Sequence, residues 1–265
     1  PSLFFLYLQN FYFAFHGDFN DLMLVRHLWS LAVEEQYYVL FPIFLFLAWR
    51  YGKNRVFWMV VVMAVISLLL SEWGWRNKAN ANFYFAPTRA WELFAGSIAA
   101  FIVQKNGVKK NNFLALLGLA AIAFSIFYYD ESTPFPSVYA LVPVLGVVLL
   151  ILYADKETVA AKLLSKKVFV GIGLISYSAY LWHQPLFAFA RITLLGHPSA
   201  DVMLTLSAIS VALAYLSWRY VEKPFRSKLF LSDKTIFISS SLCMLFFYYS
   251  ELLGTLKKSA RTYLK

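Results

Sequence analysis

VFWMVVVMAVISLLL, residues 56–70, decides which solvent this chain folds in. The run carries no charge and does not alternate, so it does not read as a strand with one wet face. As a helix it can sit in hydrocarbon with every backbone group paired internally. Similar blocks of about 16–25 residues, separated by short polar runs, recur along the sequence, and about 20 residues cross roughly 30 Å of hydrocarbon. The composition agrees: 60% of the 265 residues are hydrophobic and 14% charged, whereas a soluble domain carries roughly 25% charged residues. Mean hydropathy is +0.61. The expected fold is all-α, a polytopic transmembrane helical bundle of about nine spans, at about 1–15, 28–49, 56–73, 88–104, 113–129, 138–154, 168–194, 202–221 and 235–254. No internal repeat or soluble domain interrupts it.

Charge orients the bundle. The net charge is +10, and its basic residues cluster between spans. One set of loops holds Arg50, Lys53 and Arg55; Lys105, Lys109 and Lys110; Lys156, Lys162, Lys166 and Lys167; and Lys223, Arg226, Lys228 and Lys234. The alternate set, around 16–27, 74–87, 130–137 and 195–201, holds Arg26, Arg76 and Lys78 beside Asp18, Asp21, Asp130, Glu131 and Asp201. The positive-inside rule makes the first set cytoplasmic. The same clustering explains the positive charge as topology, so no nucleic acid is expected as a partner. Cys243 is the single cysteine, which excludes a disulfide within the chain. The sequence opens at Pro1 directly in apolar residues, with no basic leader and cleavage site, and is expected to be cut at its start. An odd number of crossings leaves the C-terminus outside. There Lys257, Lys258, Arg261 and Lys265 run against the rule, unless the last apolar run does not cross or leads into a translocated domain.

A charged group at the centre of a membrane helix costs roughly 2.5–3.5 kcal/mol, so each one embedded in an apolar run is a candidate site residue. HLWSLAVEEQYYVLFP, residues 27–42, puts His27, Leu31, Glu34 and Tyr38 on one helical face, with Ser30 a turn before Glu34. Glu34 and Glu35 either line a polar cavity, or sit at the water interface, or pair with arginines such as Arg26 and Arg89 to tie helices together. APTRAWELFAGSIAA, residues 86–100, sets Arg89 and Glu92 one turn apart, and Gly96 and Ala100 continue the Glu92 stripe with small residues. That pair either touches substrate or is a structural ion pair beside a packing groove. In GIGLISYSAYLWHQPLF, residues 171–187, Ser176, Tyr180 and His183 follow i, i+4, i+7 as a polar stripe, and Pro185 frees a carbonyl close by. A lone histidine is usually structural; one aligned with a serine and a tyrosine inside a membrane more often lines a cavity. WRYVEKPFR, residues 218–226, flanks Glu222 with Arg219 and Arg226, and Pro224 is expected to end the helix. It reads equally as a charged helix end with snorkelling arginines or as a hold on an anionic cytosolic ligand. No G-x-S-x-G, H-E-x-x-H, Walker A or Rossmann glycine pattern occurs, and no Cys/His cluster suggests a metal.

Together and in this order, the four clusters resemble the acyltransferase-3 family of multi-span membrane O-acyltransferases, which includes polysaccharide and peptidoglycan O-acetyltransferases. Trp29, Ser30, Leu31, Glu34, Gln36, Tyr38 and Pro42 fall on its W-S-L-x-x-E-x-Q-F-Y-x-x-x-P pattern, with Tyr37 in place of the commoner phenylalanine. TRAWELFAG matches T-R-x-x-E-L-x-x-G, SYSAYLWHQP matches S-Y-x-x-Y-L-x-H-x-P, and EKPFR matches E-K-P-x-R. The resemblance implies that Glu34 and His183 serve catalysis. It implies substrate contacts from Ser30, Gln36, Tyr38, Arg89 and Glu92 on the earlier motifs, and from Ser176, Tyr177, Tyr180, Glu222 and Arg226 on the later ones. No metal is implied.

The family begins with a helix bearing an arginine and, eleven residues on, a histidine proposed as catalytic base, followed by R-x-x-R-I-x-P. Neither spacing occurs here. The resemblance therefore implies that 1–254 is a transmembrane acyltransferase domain lacking its first two helices, and 255–265 an extracytoplasmic tail or linker to a missing domain. The principal histidine is then expected upstream of residue 1, and the fragment alone is expected to be inactive. The implied reaction moves acetyl from cytosolic acetyl-CoA, across the bacterial cytoplasmic (inner) membrane, to a hydroxyl of a cell-surface glycan such as lipopolysaccharide, exopolysaccharide or peptidoglycan. The implied partners are that acyl-CoA donor, the glycan acceptor and the lipid bilayer. Two other classes stand beside it: a multi-span transporter or flippase, which often shows paired halves that are not found here, and a catalytically silent anchor for an external domain. The residues upstream of Pro1 would separate them.

Overall fold

A computed structural model of the chain describes residues 8–16, 26–130, 132–194, 198–226 and 242. Among the described residues there is no strand, only an isolated bridge between Lys110 and Ala154, and the fold is all-α. The helices are α1 (Gln9–His16), α2 (Trp29–Ala48), α3 (Lys53–Asn77), α4 (Ala79–Tyr84), α5 (Ala86–Asn106), α6 (Asn112–Tyr128), α7 (Leu141–Tyr153), α8 (Val159–Leu164), α9 (Lys167–Thr193), α10 (Ala200–Ser217) and α11 (Lys223–Arg226). Short 3-10 turns cover Arg26–Leu28, Trp49–Tyr51 and Val138–Ala140, and a π-helical turn covers Trp218–Glu222. The expected span at about 235–254 and the tail 255–265 lie outside the described residues.

Among the described residues three stretches, Trp29–Tyr51, Lys53–Asn77 and Ala200–Arg226, are long and apolar enough to cross a membrane; Asn112–Tyr128 and Val138–Tyr153 are shorter apolar helices. At 1.5 Å per residue the 25 residues of α3 reach about 37 Å. α5 and α9 are of spanning length but do not meet that apolar criterion, and they are the helices that carry Arg89 and Glu92, and Tyr180 and His183. Large apolar side chains such as Phe46, Trp58, Leu69, Phe127 and Leu204 point outward, far more than a soluble monomer exposes. Hydrocarbon, not water, satisfies such a perimeter.

The chain divides into two compact units, one of Asn10–Asp18 and Trp29–Val170, the other of Pro1–Gln9, Phe19–Leu28 and Gly171–Lys265. In the first, α3 packs along α5 and α6 along α7. The buried face of α3 is Val56, Val60, Ser67, Ser71 and Gly74, a stripe at helical spacing that becomes small and polar toward its end. Small residues let helices approach, and polar ones link them where lipid offers no competing bond. Ser67 Oγ donates to the Pro87 carbonyl at 2.5 Å and accepts the Trp91 N–H at 3.0 Å. Between α6 and α7 the approach is closer still: a Cβ on Gly118 would stand 2.6 Å from the Gly146 carbonyl oxygen, and one on Gly146 2.8 Å from that of Gly118. Gly52, at φ +91°, makes the turn from α2 into α3.

Two local expectations are corrected. Gly96 opens no packing groove among the described residues, where a Cβ on it would meet nothing within 4 Å; α5 instead buries Thr88, Trp91, Phe94 and Ala99. Nor does Pro224 end the helix. The π-helical turn Trp218–Glu222 runs without a break into α11, with the Lys223 N–H bonded to the Trp218 carbonyl, so the proline's missing N–H falls at an irregular turn rather than in a regular α ladder.

In the second unit, the described part of α9 from Gly171 buries Ser178, Ala188 and Ala190, and α10 buries Ser210 and Ala214. Pro185 sits inside α9.

Candidate functional site

Arg89 is the centre of the first unit's polar cluster. It lies one turn into α5, whose start is fixed by Thr88: its hydroxyl donates to the carbonyls of Asn82 and Phe85, at 2.7 and 2.8 Å. The guanidinium carbon stands 4.9 Å from the ring centroids of both Trp29 and Phe135 and 5.7 Å from that of Phe83. All three lie within cation–π range. An Nη2 donates to Glu92 Oε2 at 3.3 Å, with the side chains 14% and 23% exposed. Trp29, Ser30, Glu34, Arg89 and Glu92, with Val33 and Leu93, line a cavity of about 80 Å³. Three ionisable groups thus converge on a space that holds one or two small polar groups. A carboxylate does lie within reach of Arg89; it is Glu92. The side chain of Arg26, the other arginine considered for Glu34 and Glu35, lies outside the described residues.

Beyond Val33 and Leu93, α2 and α5 together with α1 and α3 line an apolar pocket of about 280 Å³, walled by Tyr37, Phe41, Phe44, Met63 and Phe94. Gln36 borders it and donates to Asn10 Oδ1 at 2.9 Å, while Asn10 is fully buried and donates to the Tyr84 carbonyl at 3.3 Å. Gln36 therefore ties α1 to α2. Tyr38, expected on the Glu34 face, is 59% exposed.

The second unit gathers a different set. His27 lies before the span that begins at Trp29, and its ring is 5.0 Å from Tyr180 and 5.6 Å from His183, centroid to centroid. Tyr180 donates its hydroxyl to the His27 carbonyl. His183 Nδ1 is 3.2 Å from the Ala179 carbonyl. A carbonyl only accepts, so this contact requires a proton on Nδ1 and leaves Nε2 as the basic nitrogen of neutral His183. Burial, and after it the charge of His183, push the His27 imidazole down to about 4. Ser176 does not join this group: it is exposed, and its hydroxyl donates back to the Gly173 carbonyl at 2.8 Å. Tyr177 is also exposed.

A third contact set joins α9 to the end of α10. Buried Ser178 donates to Glu222 Oε2 at 2.9 Å, and Glu222 Oε1 pairs with Arg226 at 3.0 Å. Glu222 is 12% exposed and Arg226 68%, so the pair presents a cation to solvent from a shielded base. Sequence reasoning named Glu222 and Arg226 but missed Ser178, His27 as the neighbour of His183, and Phe135 over Arg89. Among the described residues no group of His, Cys, Asp and Glu forms a metal site.

An acyltransferase-domain family model matches residues 1–219. The chain is 28% identical over 262 residues to peptidoglycan O-acetyltransferase OatA of Listeria monocytogenes, covering 88% of this chain and 42% of that protein. To O-acetyltransferase OatA of Staphylococcus aureus it is 28% identical over 219 residues, 77% of this chain and 36% of that protein. It thus spans about two fifths of the length of the curated relatives it matches. No solved structure matches it.

Proposed function

Because the chain belongs to the acyltransferase-3 family, we propose that it works as a membrane O-acetyltransferase, passing acetyl from acetyl-CoA to a hydroxyl of a cell-surface glycan, in the manner of the peptidoglycan O-acetyltransferases it resembles. The family match over residues 1–219 carries this reading. The polar clusters inside apolar helices supply its chemistry.

In the proposed reaction the acceptor oxygen bonds to the thioester carbonyl carbon, the carbon–sulfur bond breaks, and the hydroxyl proton passes to a base. CoA leaves as a thiolate that is then protonated. His183 Nε2 is the base we assign within this chain, since Nδ1 is committed to Ala179. Tyr180 anchors the His27 backbone beside it. Arg89 and Ser30 offer donors in one cavity with the carboxylates of Glu34 and Glu92, an arrangement suited to a polar acceptor or to charge developing on a carbonyl oxygen. Arg226, held by Glu222, suits the anionic end of a CoA donor.

The test supplies labelled acetyl-CoA to membranes containing the full gene product and measures base-labile acetate on purified glycan. Transfer that depends on the protein is expected. Its absence, with the protein present and folded, would overturn the assignment.

The proposed location is the bacterial cytoplasmic membrane, crossed several times. With Cys243 replaced by alanine, a cysteine at Asn106 should be shielded from an impermeant thiol reagent in intact cells and one at Ser132 labelled. The loop containing Asn106 holds Lys105, Lys109 and Lys110, and that containing Ser132 holds Asp130 and Glu131. A reversed pattern would invert the topology.

A further inference from the structure

We propose that Phe135, on the segment between α6 and α7, is a positioning residue that fixes the orientation of the Arg89 guanidinium. This rests on the proposed function only for what that orientation serves. Phe83 reaches Arg89 from α4, close to it in the chain, and Trp29 from α2; Phe135 comes from the segment between α6 and α7, on the other side of Arg89 in the chain.

That segment is tethered on both sides of Phe135. Asp130 accepts the Ser132 N–H and hydroxyl at 2.9 and 2.6 Å, and Ser137 donates to the Pro134 carbonyl at 2.7 Å. Asn82 donates to the Pro136 carbonyl at 3.0 Å, and Glu72 accepts the Val138 N–H at 3.3 Å. Asn82 itself lies over Gly74, where a Cβ would come within 2.3 Å of its Oδ1. The tethers therefore run from α3 and α4, which flank the start of α5, and Pro136 and Ser137 are fully buried.

Phe135 remains 42% exposed. Burial alone does not account for a tethered phenylalanine with that much open surface, whereas a ring placed 4.9 Å from a guanidinium does. Arg89 is 14% exposed and its Glu92 contact is a long 3.3 Å, so aromatic faces share the work of holding the charge. With rings of Trp29, Phe83 and Phe135 around it, the guanidinium is held beside the cavity that Ser30 and Glu34 line.

The experiment compares Phe135→Leu, which keeps an apolar side chain without the ring quadrupole, with Phe135→Tyr. In the full-length protein, Phe135→Leu should lower kcat/KM for acetyl transfer by about threefold to thirtyfold, and Phe135→Tyr should stay within about twofold of the parent. Unfolding midpoints in lipid nanodiscs for Phe135→Leu, Arg89→Ala and the double variant form a cycle that needs no activity. A non-additive cycle supports the contact, and additive midpoints overturn it. Equal losses of activity in the leucine and tyrosine variants also overturn it. A non-additive cycle with full activity in Phe135→Leu supports the clamp and removes Arg89 from the substrate site, so failure of the functional reading is told apart from failure of the inference.

Discussion

Replacing His183 by asparagine is expected to lower acetyl transfer by about 10²–10⁴-fold, the usual contribution of a general base, with little change in the unfolding midpoint. The asparagine amide nitrogen occupies roughly the place of Nδ1 and can still donate to the Ala179 carbonyl, the hydrogen bond that orients the ring. What it lacks is Nε2. Initial rates with labelled acetyl-CoA at saturating acceptor read the loss. Residual activity within tenfold of the parent would move the base to another residue. The neighbouring His27 adds a pH signature. Its folded pKa is pushed down to about 4, below the ordinary value of about 6.5. The unfolded chain therefore binds this proton first as pH falls: the folded state has its full advantage above pH 6.5 and loses it progressively down to pH 4. Acid should lower the unfolding midpoint over that window, apart from any effect on rate.

The fold was legible because a membrane span announces itself by length and apolarity, which depend little on what packs against it. The expected ends were less accurate for a physical reason. The span read at about 56–73 runs as Lys53–Asn77, since Glu72 and Arg76 pair at i, i+4 and carry the helix past its last apolar residue. The loop read at 74–87 contains α4, a helix too short to show a periodic pattern. The same contrast governs the candidate site. Arg89 and Glu92 were paired from sequence because i, i+3 spacing on a helix makes contact local. Periodicity gave the face that Ser176 shares with Tyr180, but not which face packs, and it is Ser178, on the other side, that is buried against Glu222. The approach of His27 to His183, and of Phe135 to Arg89, joins residues distant in the chain through tertiary structure. No local spacing encodes it.

Glu34→Ala should cut acetyl transfer by about 10²-fold, whereas Tyr37→Phe, three residues on, should cost little activity. Glu34 lines the small polar cavity with Arg89 and Glu92. Taking away one carboxylate leaves Arg89 with Glu92 alone, at 3.3 Å, in a site screened from solvent. The Arg89–Glu92 pair itself stays intact, so the expected loss is that of a carboxylate serving the reacting groups, about 10²-fold, the lower end of general acid–base assistance. Tyr37 turns the other way, lining the apolar cavity, and its hydroxyl bonds to Ser97 Oγ at 2.6 Å. Phenylalanine keeps the ring that stacks on Phe41 at 4.8 Å and loses only that hydrogen bond, worth about 0.5–1.5 kcal/mol of stability. The two variants should therefore separate on two axes: Glu34→Ala in initial rate, Tyr37→Phe in unfolding midpoint. Equal losses of rate would mean that this stretch of α2 packs the bundle and does not serve the reaction, and the carboxylate cluster around Arg89 would then be a structural ion pair.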